Sequence, residues 1–341
     1  MRASRPRPGD RAAATPTPVP GSVVVTVVAV VAIGVVLAAG TGVGSADAPS
    51  IGDPGPVVRW GIPVVQVTVD LAMALTLGAL VLAPLAGASR SAPVHRPALI
   101  LAARAAAVWA AANAVLTWLV IARAAGVGAT DPALARVARV VLTGTGRGIG
   151  AVVTELGAVA VAGIAARGRG RIVAPLAGVL AMVAALGAAP GGHAPSTDAG
   201  QAALVGRGLH LLGTSVWVGG LAALVLLWPG LWRARLAGVA AQGFSMLAGW
   251  AYVVVAASGL MTGYAVLGAF DPFGTPYARL MAAKALALLV LGGLGAWHRR
   301  RSLAGLDRAG ARSFLRLAVG ELAVMATAVA LAVVLSTTPP H

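Results

Sequence analysis

Cysteine is absent from the 341 residues, so disulfides, thiolate metal sites and cysteine nucleophiles are excluded together. Charge is scarce: 11% of residues are Asp, Glu, Lys or Arg, against roughly 25% in a soluble domain. Hydrophobic residues make up 58% and the mean hydropathy is +0.88, which describes a polytopic membrane protein. Lysine occurs once, at Lys284, and the abundance of arginine, alanine, valine and glycine indicates GC-rich coding and a bacterial source. The net charge of +16 is no nucleic-acid signature, because the arginines sit in short connectors between apolar runs instead of on one face. Patterns of the G-x-S-x-G, H-E-x-x-H and P-loop kinds are missing, and no nucleophile, base and orienting group can be read together, so an enzyme is not expected. "GTGRGIGA" at 144–151 contains G-x-G-x-x-A, but it follows no strand and lacks the acidic residue some 20 positions on, so it reads as small residues at a helix start.

What is present is a series of apolar runs. A spanning helix needs about 20 mostly apolar residues. Nine stretches qualify: 22–44, 63–87, 99–125, 147–166, 172–190, 207–229, 244–268, 279–297 and 317–336. The expected fold is an all-α transmembrane bundle of about nine spans. It becomes eight if the first is a cleaved signal peptide, for which "SADA" offers an A-x-A site at Ala46 and Ala48. The expected divisions are a disordered basic tail over 1–21, the first span over 22–44, a four-helix N-terminal membrane region over 63–190, and a four-helix membrane domain over 205–340. Alternate connectors carry seventeen arginines on one side and six on the other, which places the N-terminus inside and the C-terminus outside. "DPALARVARVVL", with Leu134, Val137 and Val141 on one stripe, predicts a short amphipathic helix at the outer interface.

Ionisable residues inside spans are costly, so they pair or line a cavity. Counted from the helix ends, Asp70, Arg123, Glu155 and Lys284 lie in the outer half of the membrane, and Arg104 and Glu321 in the inner half. Depth therefore permits Arg104 to pair with Glu321, and Asp70 or Glu155 with Lys284 or Arg123; such groups serve as interhelical clamps or line a translocation path. Asn113, near mid-membrane, is expected to hydrogen-bond between helices. "GLMTG", with Gly259 and Gly263, is a G-x-x-x-G signal for close helix packing.

Histidine and methionine remain as candidate ligands. His193 lies in the outer loop "GGHAPSTD", and His210 is expected about 6 Å below the outer surface, at 1.5 Å per residue. Met261 and Met281 fall on the outer halves of their spans. Imidazole with thioether suits copper, loosely held, and Met favours the cuprous form. A b-type haem is not expected, since His210 and His298 lie at opposite faces. On its helix His210 shares a face with Thr214 and Trp217, and Gly219 and Gly220 would admit a close neighbour.

The segments "LHLLGTSVWVGGLAALVLL" at 209–227, "GTPYARLMAAKALALLVLGGLGAWHRRR" at 274–301 and "FLRLAVGELAVMATAVALAVVLSTTPP" at 314–340 resemble the copper resistance protein D (CopD) family. "RWGIPVVQVTVDLAMALTLGALVL" at 59–82 is similar to the N-terminal portion of longer actinobacterial proteins that join a CopD-like half to a cytochrome c oxidase assembly half. In the family the outer loop often holds further histidines where this chain has Asp198 or none. The resemblance implies a copper-handling protein of the bacterial cytoplasmic membrane that imports copper, supplied by a CopC-type extracytoplasmic carrier. The alternative is a non-transporting copper chaperone serving a cytochrome c oxidase assembly protein. On the transport reading His193 and His210 capture the ion, Met261 and Met281 pass it inward, and Asp70, Glu155 and Lys284 set the field along the path.

Overall fold

The computed structural model describes Gly34 and residues 52–85, 94–187, 198–267, 276–302 and 308–337. The expected first span and tail, His193, and the side chain of His298 lie outside the described residues. The chain runs through α1 (Gly55–Leu85), α2 (His95–Ala125), α3 (Leu134–Gly144), α4 (Gly146–Arg167), α5 (Val173–Gly187), α6 (Asp198–Arg233), α7 (Ala237–Leu267), α8 (Pro276–Ser302) and α9 (Arg308–Thr337), with no strand among the described residues. This is an all-α polytopic membrane protein. Among the described residues six helices are long and apolar enough to cross a membrane. The expected span at 172–190 is described as a helix only over 15 residues, about 22 Å at 1.5 Å per residue.

Two groups of helices share α1. On one side α2 and α5 pack with it and α4 packs on both of them; on the other α6 lies along α1, α7 along α6, and α9 carries α8 while touching α6 and α1. The α1–α6 seam is built from small residues. A Cβ on Gly78 would fall within the backbone of Gly219, and one on Gly219 would overlap the Ala74 carbonyl. Gly220 faces the Phe244 ring of α7 in the same way. With hydrocarbon on all sides, backbone proximity and dispersion contacts replace the hydrophobic effect as the force between helices. The expectation that Gly219 and Gly220 admit close neighbours is met twice over.

The short outer helix is present as α3, with Leu134 and Ala138 buried and Val140 exposed. Thr145 then ends α3 and starts α4: its amide donates to the Val141 carbonyl at 3.2 Å, and its hydroxyl accepts from the Gly148 amide at 3.0 Å. A side chain on Gly148 would strike the Val141 carbonyl, so the glycines of "GTGRGIGA" make a helix-to-helix corner.

Interhelical polar contacts are few and specific. Asn113 of α2 donates to Glu155 Oε2 of α4 at 3.0 Å and to the Ala151 carbonyl at 3.4 Å, the bridging role expected of it. Thr154 donates to the Ala184 carbonyl of α5 at 2.9 Å. At the inner end Arg96 reaches the exposed carbonyls that close α4: Nη2 donates to Ala166 at 2.7 Å and Nη1 to Ala165 and Gly168 at 3.3 Å. A cation there also complements the negative end of the helix dipole. Arg96→Ala is expected to cost about 1–2 kcal/mol, the lower part of the charged hydrogen-bond range because the site is wet. A fall in the detergent thermal midpoint, with Arg96→Lys recovering only part, checks it.

Before α1, Asp53 Oδ1 accepts from the Gly55 amide and from Arg59 Nη2, both at 2.9 Å. The amide bond and then the guanidinium hold its carboxyl below the usual carboxylate range. A depressed folded pKa means the contact is present at neutral pH and is lost as pH falls through that lowered value, below the ordinary carboxylate pKa. The protection of the Gly55 amide, relative to its intrinsic exchange rate at each pH, should fall in that acid window in the native chain and should be low at neutral pH already in Asp53→Ala.

Candidate metal site between α6 and α7

α6 begins at Asp198, nine residues ahead of the predicted start at 207, so the histidine sits about 18 Å along the helix at 1.5 Å per residue, the first turns extending beyond the apolar span. Its ring turns from lipid into the seam with α7. Nδ1 lies 3.1 Å from the Val255 carbonyl and 3.1 Å from Ser258 Oγ. A Cβ on Gly259 would stand 3.5 Å from the ring's Cε1, so the glycine leaves that edge uncovered. Gly213 fits against Val254 and Val255, and so lets the two helices come this close.

Two turns further in, Trp217 is buried and meets Tyr252 of α7 edge to face, with centroids 5.4 Å apart and planes at 88°. A Cβ on Gly292 of α8 would stand 2.6 Å from the Tyr252 hydroxyl, so α8 packs onto the same aromatic pair. Lys284 lies one turn above Leu288 and two above Leu291, on the stripe of α8 that faces the core, and its ammonium is within electrostatic reach of the His210 ring. Tyr252 thus links Trp217 of α6 to Gly292 of α8, with Lys284 on the same helix as Gly292.

The other expected residues are distributed differently. Met261, one turn on from Ser258, is 40% exposed. Met281 is half-buried on the second turn of α8. Asp70 accepts from Gln66 at 3.0 Å and feels Arg207, and Glu155 is bound by Asn113. Arg104 is exposed on α2, whereas Glu321 is buried on α9, a helix that packs against α8, α6 and α1. Among the described residues none of the depth-matched pairs, Arg104 with Glu321 and Asp70 or Glu155 with Lys284 or Arg123, forms an ion pair. Arg123 is exposed at the outer end, where it and Arg207 act on Arg147. Even on adjoining helices such as α1 and α2, matched depth makes no contact unless the two side chains also face each other.

Among the described residues no three His, Cys, Asp or Glu side chains converge as metal ligands. The described site is thus an imidazole with the Val255 carbonyl and Ser258 hydroxyl at Nδ1 and a lysine within electrostatic reach, which suits transient holding better than tight storage. Sequence reasoning missed Ser258 and the Val255 carbonyl. Their one signal was a serine placed immediately before Gly259 in an otherwise apolar run.

An all-helical, multi-pass membrane protein with one half built around a histidine-bearing seam is what fold and site define. Residues 238–335, which supply α7, α8 and most of α9, match the family model Copper resistance protein D. The chain is also similar to "Copper transport protein CutJ" of Bacillus subtilis (strain 168), 34% identical over 125 residues, covering 34% of this chain and 23% of that protein. The chain thus spans about a quarter of the curated relative it matches. No solved structure matches.

Proposed function

We propose that this protein handles copper in the bacterial cytoplasmic membrane and imports it, with His210 as the receiving ligand in the outer half of the α6–α7 seam. The observation that carries this reading is an imidazole fixed by Nδ1 against the CopD-matching region, with no group of three His, Asp or Glu among the described residues to hold the ion permanently. The match to a relative named for copper transport supports it. His193, in the loop that precedes α6, and Met281, on α8, are the proposed additional ligands. Met261 is the weaker candidate because it is exposed. A CopC-type carrier would deliver the ion.

The second reading is a non-transporting copper chaperone for a cytochrome c oxidase assembly protein. It is favoured by the closure beneath His210, where Trp217, Tyr252 and the Gly220–Phe244 contact fill the seam. Uptake of copper into proteoliposomes by the native chain, His210→Ala and Lys284→Ala separates the two. Import predicts accumulation that falls in His210→Ala and changes in Lys284→Ala, which removes the cation facing the imidazole. Copper retained by the purified protein without accumulation in the vesicles would establish the chaperone. Uptake unaltered in both variants would remove these residues from the path.

A further inference from the structure

The contacts of His210 determine which of its nitrogens is available. A backbone carbonyl only accepts, so the 3.1 Å approach to Val255 requires a proton on Nδ1. Ser258 agrees with this. Its hydroxyl donates to the Val254 carbonyl at 2.6 Å, with a longer 3.2 Å approach to Val255, and so its Oγ turns lone pairs towards Nδ1. Both partners of Nδ1 are thus acceptors. In a neutral imidazole one nitrogen carries the proton and the other a lone pair, so the lone pair belongs to Nε2. Among the described residues Nε2 has no hydrogen-bond partner, and Gly259 leaves the adjoining Cε1 edge uncovered.

We infer that Ser258 and the Val255 carbonyl are the positioning groups of the site: they lock His210 as its Nδ1–H tautomer and present Nε2 as the atom that binds an incoming soft monovalent cation. This deepens the copper reading and rests on it for the identity of the cation. Ser258 touches no cation itself; it acts by fixing the proton on one nitrogen and the plane of the ring, the part that outer-shell partners of metal-binding histidines perform. The serine is specific in this role because its hydroxyl is already committed as a donor to its own helix, a commitment an alanine could not make.

The test uses the full chain in lipid nanodiscs with 15N-labelled histidine, the His210 signals being identified by their loss in His210→Gln. Native protein should show a protonated Nδ1 and an unprotonated Nε2. Silver ion, a diamagnetic stand-in for the cuprous ion, should move the Nε2 resonance and leave Nδ1 protonated. Ser258→Ala should mix the tautomers and weaken silver binding about 10-fold, the lower end for loss of an outer-shell partner because Val255 remains. Ser258→Thr should restore both, at a thermal midpoint close to native in each variant. A native Nε2–H tautomer would overturn the inference, as would a Ser258→Ala protein with unchanged tautomer and silver affinity. The stated tautomer with no silver response at His210 would overturn the ligand role, and the copper reading of this residue with it, while the hydrogen-bond assignment stood.

Discussion

Gly219→Leu should leave no folded bundle. The Cβ alone would occupy the position of the Ala74 carbonyl on α1, and the reciprocal Cβ on Gly78 would occupy Gly219 backbone. The obstruction is main chain on both sides, which cannot swing aside as the end of a flexible side chain could. The helices must separate along the seam, with loss of the dispersion contacts that hold them in lipid. Overpacking a core costs about 1–3 kcal/mol and more where the backbone must move, a large part of the roughly 5–15 kcal/mol by which a native protein is stable. Gly219→Ala should already lower the thermal midpoint, and Gly219→Leu should elute as aggregate on size exclusion in mild detergent. Gly293→Ala provides the opposite sign. A Cβ there meets nothing within 4 Å, so the change should stabilise α8 by up to about 1 kcal/mol through helix propensity. If Gly219→Leu behaves like Gly293→Ala, the α1–α6 seam is wrong.

The second large effect concerns His210. His210→Ala is expected to reduce copper uptake and copper binding by about 100-fold, at or beyond the upper end seen for loss of an outer-shell partner because here the ligand itself is removed. Stability should change little by comparison. Ser258 retains its bond to the Val254 carbonyl, so removal of the imidazole strands no donor there, and the net loss is on the order of 1 kcal/mol. A near-native thermal midpoint with lost copper binding distinguishes a ligand from a packing residue. Met261→Leu should have almost no effect, since its side chain is 40% exposed, and Met281→Leu an intermediate one. Radioactive or fluorescent copper uptake in proteoliposomes, with equilibrium dialysis for binding, reads both quantities. Equal losses in Met261→Leu and His210→Ala would contradict the geometry.

Much of this was legible before any coordinates. Asn113 could be read as a bridge because a lone amide in mid-membrane must find a partner, and it does so at Glu155. The stripe Leu134, Val137 and Val141 specified α3, and the paired glycines specified a close approach on α6. The salt-bridge pairs were not legible. Depth allowed Asp70 to pair with Lys284 or Arg123, yet it accepts from Gln66, one turn away on the same helix. Depth also allowed Glu321 to pair with Arg104, which is exposed on α2. The start of α6 was also misplaced, because Asp198 and Gln201 are polar enough to read as loop while still continuing a helix above the apolar span.

By itself the sequence determined the membrane, the helices and the depth of each polar group. Those are local quantities: transfer free energy sums along the chain, and depth follows from a rise of 1.5 Å per residue. Tertiary structure alone decided direction around each helix axis. Whether His210 faces Ser258 or lipid depends on which helix lies beside α6, and that is set by where Gly219 can meet Ala74 and Gly78, some 140 residues earlier in the chain. Azimuth is a property of pairs of helices, so a chain read one residue at a time can place an imidazole at its level in the membrane but cannot say which of its nitrogens is left to bind.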